Sequence, residues 1–129
     1  MTVEFRSIEG TEAAVGIAGN HTIIADRPSG KAGGMSLGFN GGQLLALAIG
    51  GCLCNDLRYI AHQRALRIVS LQVTVSVEFD GEPLLANSVD VRVQCELDGG
   101  MDPESLVAEA IASSTVANSI SRGLRVNYR

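Results

Sequence analysis

The chain has 129 residues, 46% of them hydrophobic, no tryptophan and a formal net charge of −4. That length argues for one domain with a core of Val, Ile, Leu and Ala, and the apolar content leaves surface to close against a second copy. The acidic balance, without a Lys/Arg cluster interleaved with aromatics, excludes nucleic-acid binding.

The first residues lack the basic-then-apolar pattern of a signal peptide, and no apolar run reaches the roughly 18 residues that span a bilayer. The expectation is a soluble cytoplasmic protein with no membrane partner. In chain order, Thr2 to Glu9 predicts a strand and turn. Ala13 to Gly19 and His21 to Arg27 predict a hairpin with Gly19-Asn20 at its tip. Pro28 to Gly42 is too glycine-rich to pack and too long for a plain connector, so it covers something or moves. It lacks the Lys-Ser/Thr ending of a phosphate-binding loop.

Gln43 to about Arg67 predicts one long helix. Its first half is apolar nearly all round, which implies burial all round. The Gly50-Gly51 pair costs roughly 1 kcal/mol per glycine against alanine and would admit another backbone, from a second copy in a chain this small. Leu71 to Phe79 and Val89 to Leu97 alternate apolar and polar residues, the period of an antiparallel pair with one wet face. Asp80-Gly81 opens the connection between them. Asp102-Pro103-Glu104 starts a helix that runs to about Ser113. Ser114 can cap a further helix, Thr115 to Ser121. Gly123 ends that helix, and Leu124 to Tyr128 predicts a last strand. The order β-β-β-α-β-β-α-α-β makes the class α+β, with the long helix packed on antiparallel sheet.

The chemistry-bearing residues are three cysteines. An odd count in a cytoplasmic chain is not a disulfide framework. Cys52 and Cys54 lie two apart on the helix and so point about 160° from each other. They can form neither a disulfide nor a two-thiolate metal clip without unwinding it. His21 and His62 show no ligand spacing, and neither a metal nor a cofactor is expected. His21 reads as a surface or turn residue. Cys95 alternates with valines and reads as core. For Cys52 and Cys54 the readings open at this point are a small buried hydrophobe or a reactive thiol.

Reactivity needs the thiolate, and Asp56, one turn beyond Cys52, disfavours a negative sulfur. A reactive Cys52 therefore needs a cation from elsewhere, and the Arg27–Lys31 stretch is the available source, with Arg27 as the candidate thiolate activator. Ser114 reads as an N-cap, because no base is placed with it for a nucleophilic role.

The run Gln43-Leu44-Leu45-Ala46-Leu47-Ala48-Ile49-Gly50-Gly51-Cys52 resembles the OsmC/Ohr family. So do Gly19-x-His21, Asp26-Arg27-Pro28, Gly33-Gly34 and Gly38, and the tail Val116 to Gly123. The resemblance spans nearly the whole chain. It implies a single domain over residues 1–129, an intertwined homodimer with sites at the subunit interface, and Cys52 in the place of the peroxidatic cysteine. Cys54 has no counterpart role.

The chain departs from the family's hydroperoxide reductases in three places. Their second, resolving cysteine falls at Ser114-Thr115. Their helix-start glutamate falls at Gly42, followed by Gln43. Their first-turn arginine is missing from Ile8 to Glu12. The resemblance thus implies a one-cysteine peroxidase acting on small or lipophilic hydroperoxides, with an external thiol as reductant. The alternatives are a non-catalytic dimer that binds a small apolar ligand or senses oxidants, and a thiol kept only for packing.

Overall fold

Alternation and turn chemistry shape the first forty residues. In this computed structural model, which describes residues 1–128, strands β1 (Glu4–Ser7), β2 (Ala14–Ala18) and β3 (His21–Ala25) form an antiparallel meander in that order. Ala18 faces His21 across the Gly19-Asn20 turn. Gly19 adopts a φ of 60°, the left-handed value that the first position of a II′ hairpin turn requires.

The glycine-rich loop that follows is anchored. Asp26, buried at the end of β3, accepts backbone N–H groups from Arg27 (2.8 Å), Met35 (3.0 Å) and Leu37 (3.0 Å). The loop then returns beside β3, where Phe39 bridges Ala25 in parallel.

Helix α1 (Gly41–Gln63) starts two residues earlier than the sequence predicts. Asn40 Oδ1 accepts the Gln43 N–H and Gln43 Oε1 accepts the Asn40 N–H, both at 2.9 Å. This reciprocal cap fixes the first turn. The helix also ends earlier than expected. Ala65 takes a left-handed φ of 55°, while the Leu66 N–H reaches the Ala61 carbonyl and the Ala65 N–H reaches that of His62. Those two bonds make a Schellman cap with alanine where glycine is usual.

The chain forms two compact units, Met1–Leu45 and Ala46–Arg129. The second is built on a ribbon of β4 (Ile68–Asp80) and β5 (Leu85–Leu97), followed by a 3₁₀ turn at Asp98–Gly100, α2 (Glu104–Ser113) and α3 (Thr115–Ser121). Register keeps the faces pure: Leu71 opposes Cys95, Val73 opposes Val93, Val75 opposes Val91 and Val77 opposes Val89. Gln72, Thr74 and Ser76 oppose Gln94, Arg92 and Asp90 on the other face.

The core sits at the open end of the ribbon, away from the Asp80–Leu85 turn. There Leu53, Leu57, Ile60 and Ala61 of α1 pack with Ile68, Leu97, and Leu106 and Ala110 of α2. At α2 the Asp102 carboxylate accepts the Glu104 N–H at 2.9 Å, as the Asp-Pro-Glu start predicts.

Three expectations need correction. First, α1 is buried along one face only: Leu47 is 51% exposed and Ala48 is exposed too. Length and composition would let α1 cross a membrane, a test that core helices of soluble proteins also pass. Second, the partner of Gly50 is this chain's own ribbon. A Cβ there would stand 3.1 Å from Val75, whereas one at Gly51 would meet nothing. Third, Leu124 to Tyr128 form no strand. Their apolar side chains are exposed, and among the described residues no ladder accepts them.

Candidate functional site

Cys52 lies on the second unit's stretch of α1 and is half-buried. The helical repeat brings Asp56 over it, and its Sγ lies 3.5 Å from Asp56 Oδ2, where the thiol S–H donates. On the other side the Ser114 hydroxyl donates to the same sulfur at 3.8 Å. Ser114 is 1% exposed and stands between α2 and α3. It occupies the N-cap position of α3, as the sequence predicts, but its side chain makes no capping bond. The hydroxyl that would cap the helix is turned inward to the sulfur.

Ser114 also lines a pocket of about 220 Å3 with Ile49, Leu53, Val89, Val91, Ile111 and Ala117; among the described residues Cys52 is not part of that wall. An alkyl group fits such walls and a charged one does not.

The other cysteines are free and half-buried as well. Cys95 packs against the core and lines a groove of about 550 Å3 between β5 and the start of α2. Burial pushes its thiol up; the Arg58 charge opposes that shift and Glu96 adds to it. Among the described residues no group of three His, Cys, Asp or Glu side chains converges as metal ligands do.

Arg27 lies in the first unit. Its Nη2 donates to Glu12 Oε2 at 2.9 Å and to the Glu12 carbonyl at 3.3 Å. Its Nε is buried with no partner among the described residues. Gly42 brings no side chain to the first turn of α1, and the Gln43 amide is engaged by Asn40.

Sequence reasoning missed two features of this region. The apolar pocket draws on helices and strands far apart in the chain, so no local signal announces it. The anchoring role of Asp26 did have one: an Asp-Arg-Pro step before a glycine-rich run, where a carboxylate can accept backbone donors.

A half-buried thiol presented by a long helix on an antiparallel ribbon, with a hydroxyl at its side that also lines an apolar pocket, defines a helix-borne thiol protein of α+β class. The model of the family described as OsmC-like protein matches residues 32–129, and the chain belongs to that family.

Its fold is similar to that of an OsmC-like protein from Mycoplasma pneumoniae (TM-score 0.77, 14% identity, 95% of this chain and 87% of that one). It is similar also to an organic hydroperoxide resistance protein OsmC from Legionella pneumophila, described as a predicted redox protein (TM-score 0.64, 20% identity, 95% and 88%). An organic hydroperoxide resistance protein from Elizabethkingia anophelis aligns with a TM-score of 0.64 at 17% identity, over 96% and 90% of the two chains. No curated protein matches the sequence.

Proposed function

We propose that the protein is a one-cysteine, thiol-dependent peroxidase of the cytoplasm, acting as a homodimer on small lipophilic hydroperoxides. The Cys52 thiolate attacks the terminal peroxide oxygen, the O–O bond breaks, and the departing alkoxide takes a proton to leave as an alcohol. Cys52 becomes a sulfenic acid. Two equivalents of an external thiol then restore it, yielding a disulfide of that thiol and water.

The observation that carries the reading is the half-buried Cys52 sulfur, bonded to Ser114 where Ser114 walls an apolar pocket. Family membership supports it, as do the relatives named for hydroperoxide resistance. Arg27, held by Glu12, is the candidate cation for the thiolate.

The test adds one equivalent of an alkyl hydroperoxide, then a sulfenic-acid trap, and reads the adduct by mass. Rapid trapping at Cys52, lost in Cys52→Ser, is the expected result, with repeated turnover once a thiol reductant is supplied. No adduct at Cys52 would overturn the proposal.

A second reading follows from the Asp56 contact. A Cys52 whose S–H is donated to a carboxylate suits a slow oxidant sensor or a binder of apolar ligands. Trapping at Cys52 without turnover would select the sensor.

A further inference from the structure

The sulfur of Cys52 has two polar neighbours of opposite kind. Asp56 can only accept a proton, and Ser114 here donates one. The neutral thiol satisfies both contacts, while the thiolate keeps only the one from Ser114 and faces a carboxylate with nothing between them.

We infer that Ser114 is the positioning residue of the proposed peroxidase, the built-in donor that holds the Cys52 thiolate against Asp56. This rests on the peroxidase reading for its purpose, but not for its test.

The geometry of Ser114 supports the role. Its backbone is satisfied without the side chain: the N–H donates to the Ile111 carbonyl, and the carbonyl accepts the Asn118 N–H and Nδ2. A serine at an N-cap normally gives its side-chain oxygen to the helix. Here α3 goes without that bond and the hydroxyl is 1% exposed, turned to the sulfur. Because water does not compete at a hydroxyl so buried, its bond to an anion counts for more than at a surface.

The same side chain is part of the apolar pocket wall, so Ser114 connects the sulfur to the pocket. Among the described contacts the charged group facing Cys52 from its own helix is Asp56. The junction of α2 and α3 offers the hydroxyl, which does not titrate in the working range.

The experiment pulses the intact protein with iodoacetamide across pH and reads Cys52 by mass, with fragment ions separating it from Cys54. Removing a donor to an anion in Ser114→Ala should raise the midpoint of the Cys52 profile by roughly one pH unit, about tenfold in thiolate at a fixed pH below it. Asp56→Asn should lower the midpoint, because a carboxylate is replaced by a neutral amide.

A purely structural role for Ser114 would change stability and leave the midpoint alone. A Ser114→Ala profile that overlays the parent or moves down overturns the inference. Should that variant not fold, the parent protein still decides. The Ser114 hydroxyl proton must shift in NMR with the Cys52 midpoint, and a shift independent of it overturns the inference. Since alkylation needs no peroxide, failure of Cys52 to react with hydroperoxides removes the peroxidase reading and leaves this assignment to its own result.

Discussion

Asp26 is a single residue on which a whole loop depends. Its carboxylate is buried yet held below its ordinary value near 3.8, first by the Leu37 N–H; burial opposes the shift, and the Met35 and Arg27 N–H groups and the Arg27 charge reinforce it. The sign follows from linkage. A carboxylate whose folded value is lowered binds fewer protons folded than unfolded. Its stabilising contribution is therefore complete above the ordinary value and fades as pH falls through the lowered one. Asp26→Asn should destabilise the protein at pH 7 and flatten the loss of stability below about pH 4. Amide exchange at Met35 and Leu37, followed from pH 7 into acid, checks this. Fast exchange at both amides at neutral pH is expected in the variant, and parent-like protection would disprove the anchoring role. Arg27 is tied into the same corner through Glu12, so the candidate activator and the loop anchor are neighbours in sequence and in space.

Among the elements, α1 shows most plainly where sequence patterns run out. Its C-terminus is set by Ala65, an L-residue in a left-handed conformation that costs an ordinary side chain on the order of 1 kcal/mol. Ala65→Gly should therefore stabilise the protein by about 1 kcal/mol, seen as a higher denaturant midpoint at unchanged slope. A loss of stability would mean that the alanine methyl contributes packing the cap geometry does not reveal.

The same helix explains what could be read in advance and what could not. The β4–β5 pair was legible because Leu71–Phe79 and Val89–Leu97 alternate with period two; the register itself was not, since a slip of two residues keeps both faces pure. The start of α2 was legible from Asp102-Pro103-Glu104. The start of α1 had a signal in Asn40 and Gln43, three residues apart, which the glycines around them obscured. Its end had no signal, since no glycine marks it. Leu124 to Tyr128 alternates like a strand, but a strand exists only where an edge accepts it, and periodicity cannot report the edge. At the site, helical rotation separated Cys52 from Cys54 and placed Asp56 over Cys52. The approach of Ser114 is a tertiary contact, reached in advance only through family resemblance.

For the whole molecule, the question is what covers the apolar surface that the described residues leave open. On the second unit, Leu47 at 51% exposure, Ala48 and the open side of Gly51 lie along α1. Val89 and Val91 lie on the ribbon's apolar face, and Leu124 and Val126 lie in the tail. A chain of net charge −4 does not lack polar residues to place there. Exposed apolar residues of this kind suit an interface, and the proposed occupant is a second copy. In a two-fold dimer each substitution acts twice. Leu47→Asp removes burial of about 2 kcal/mol per copy, so roughly 4 kcal/mol in all, which is about a thousandfold in the dimer dissociation constant. Sedimentation of the parent at micromolar concentration should give twice the mass of one chain. The Leu47→Asp variant should sediment as a single chain with its far-UV circular dichroism retained. A parent that sediments as one chain would exclude the dimer, and a variant that stays dimeric would move the interface off this face of α1. If the dimer is needed to bring the Arg27 guanidinium to Cys52, the same variant should lose peroxide-driven trapping at Cys52 while keeping the Ser114-dependent midpoint. That outcome would separate the residues that hold the sulfur from those that activate it.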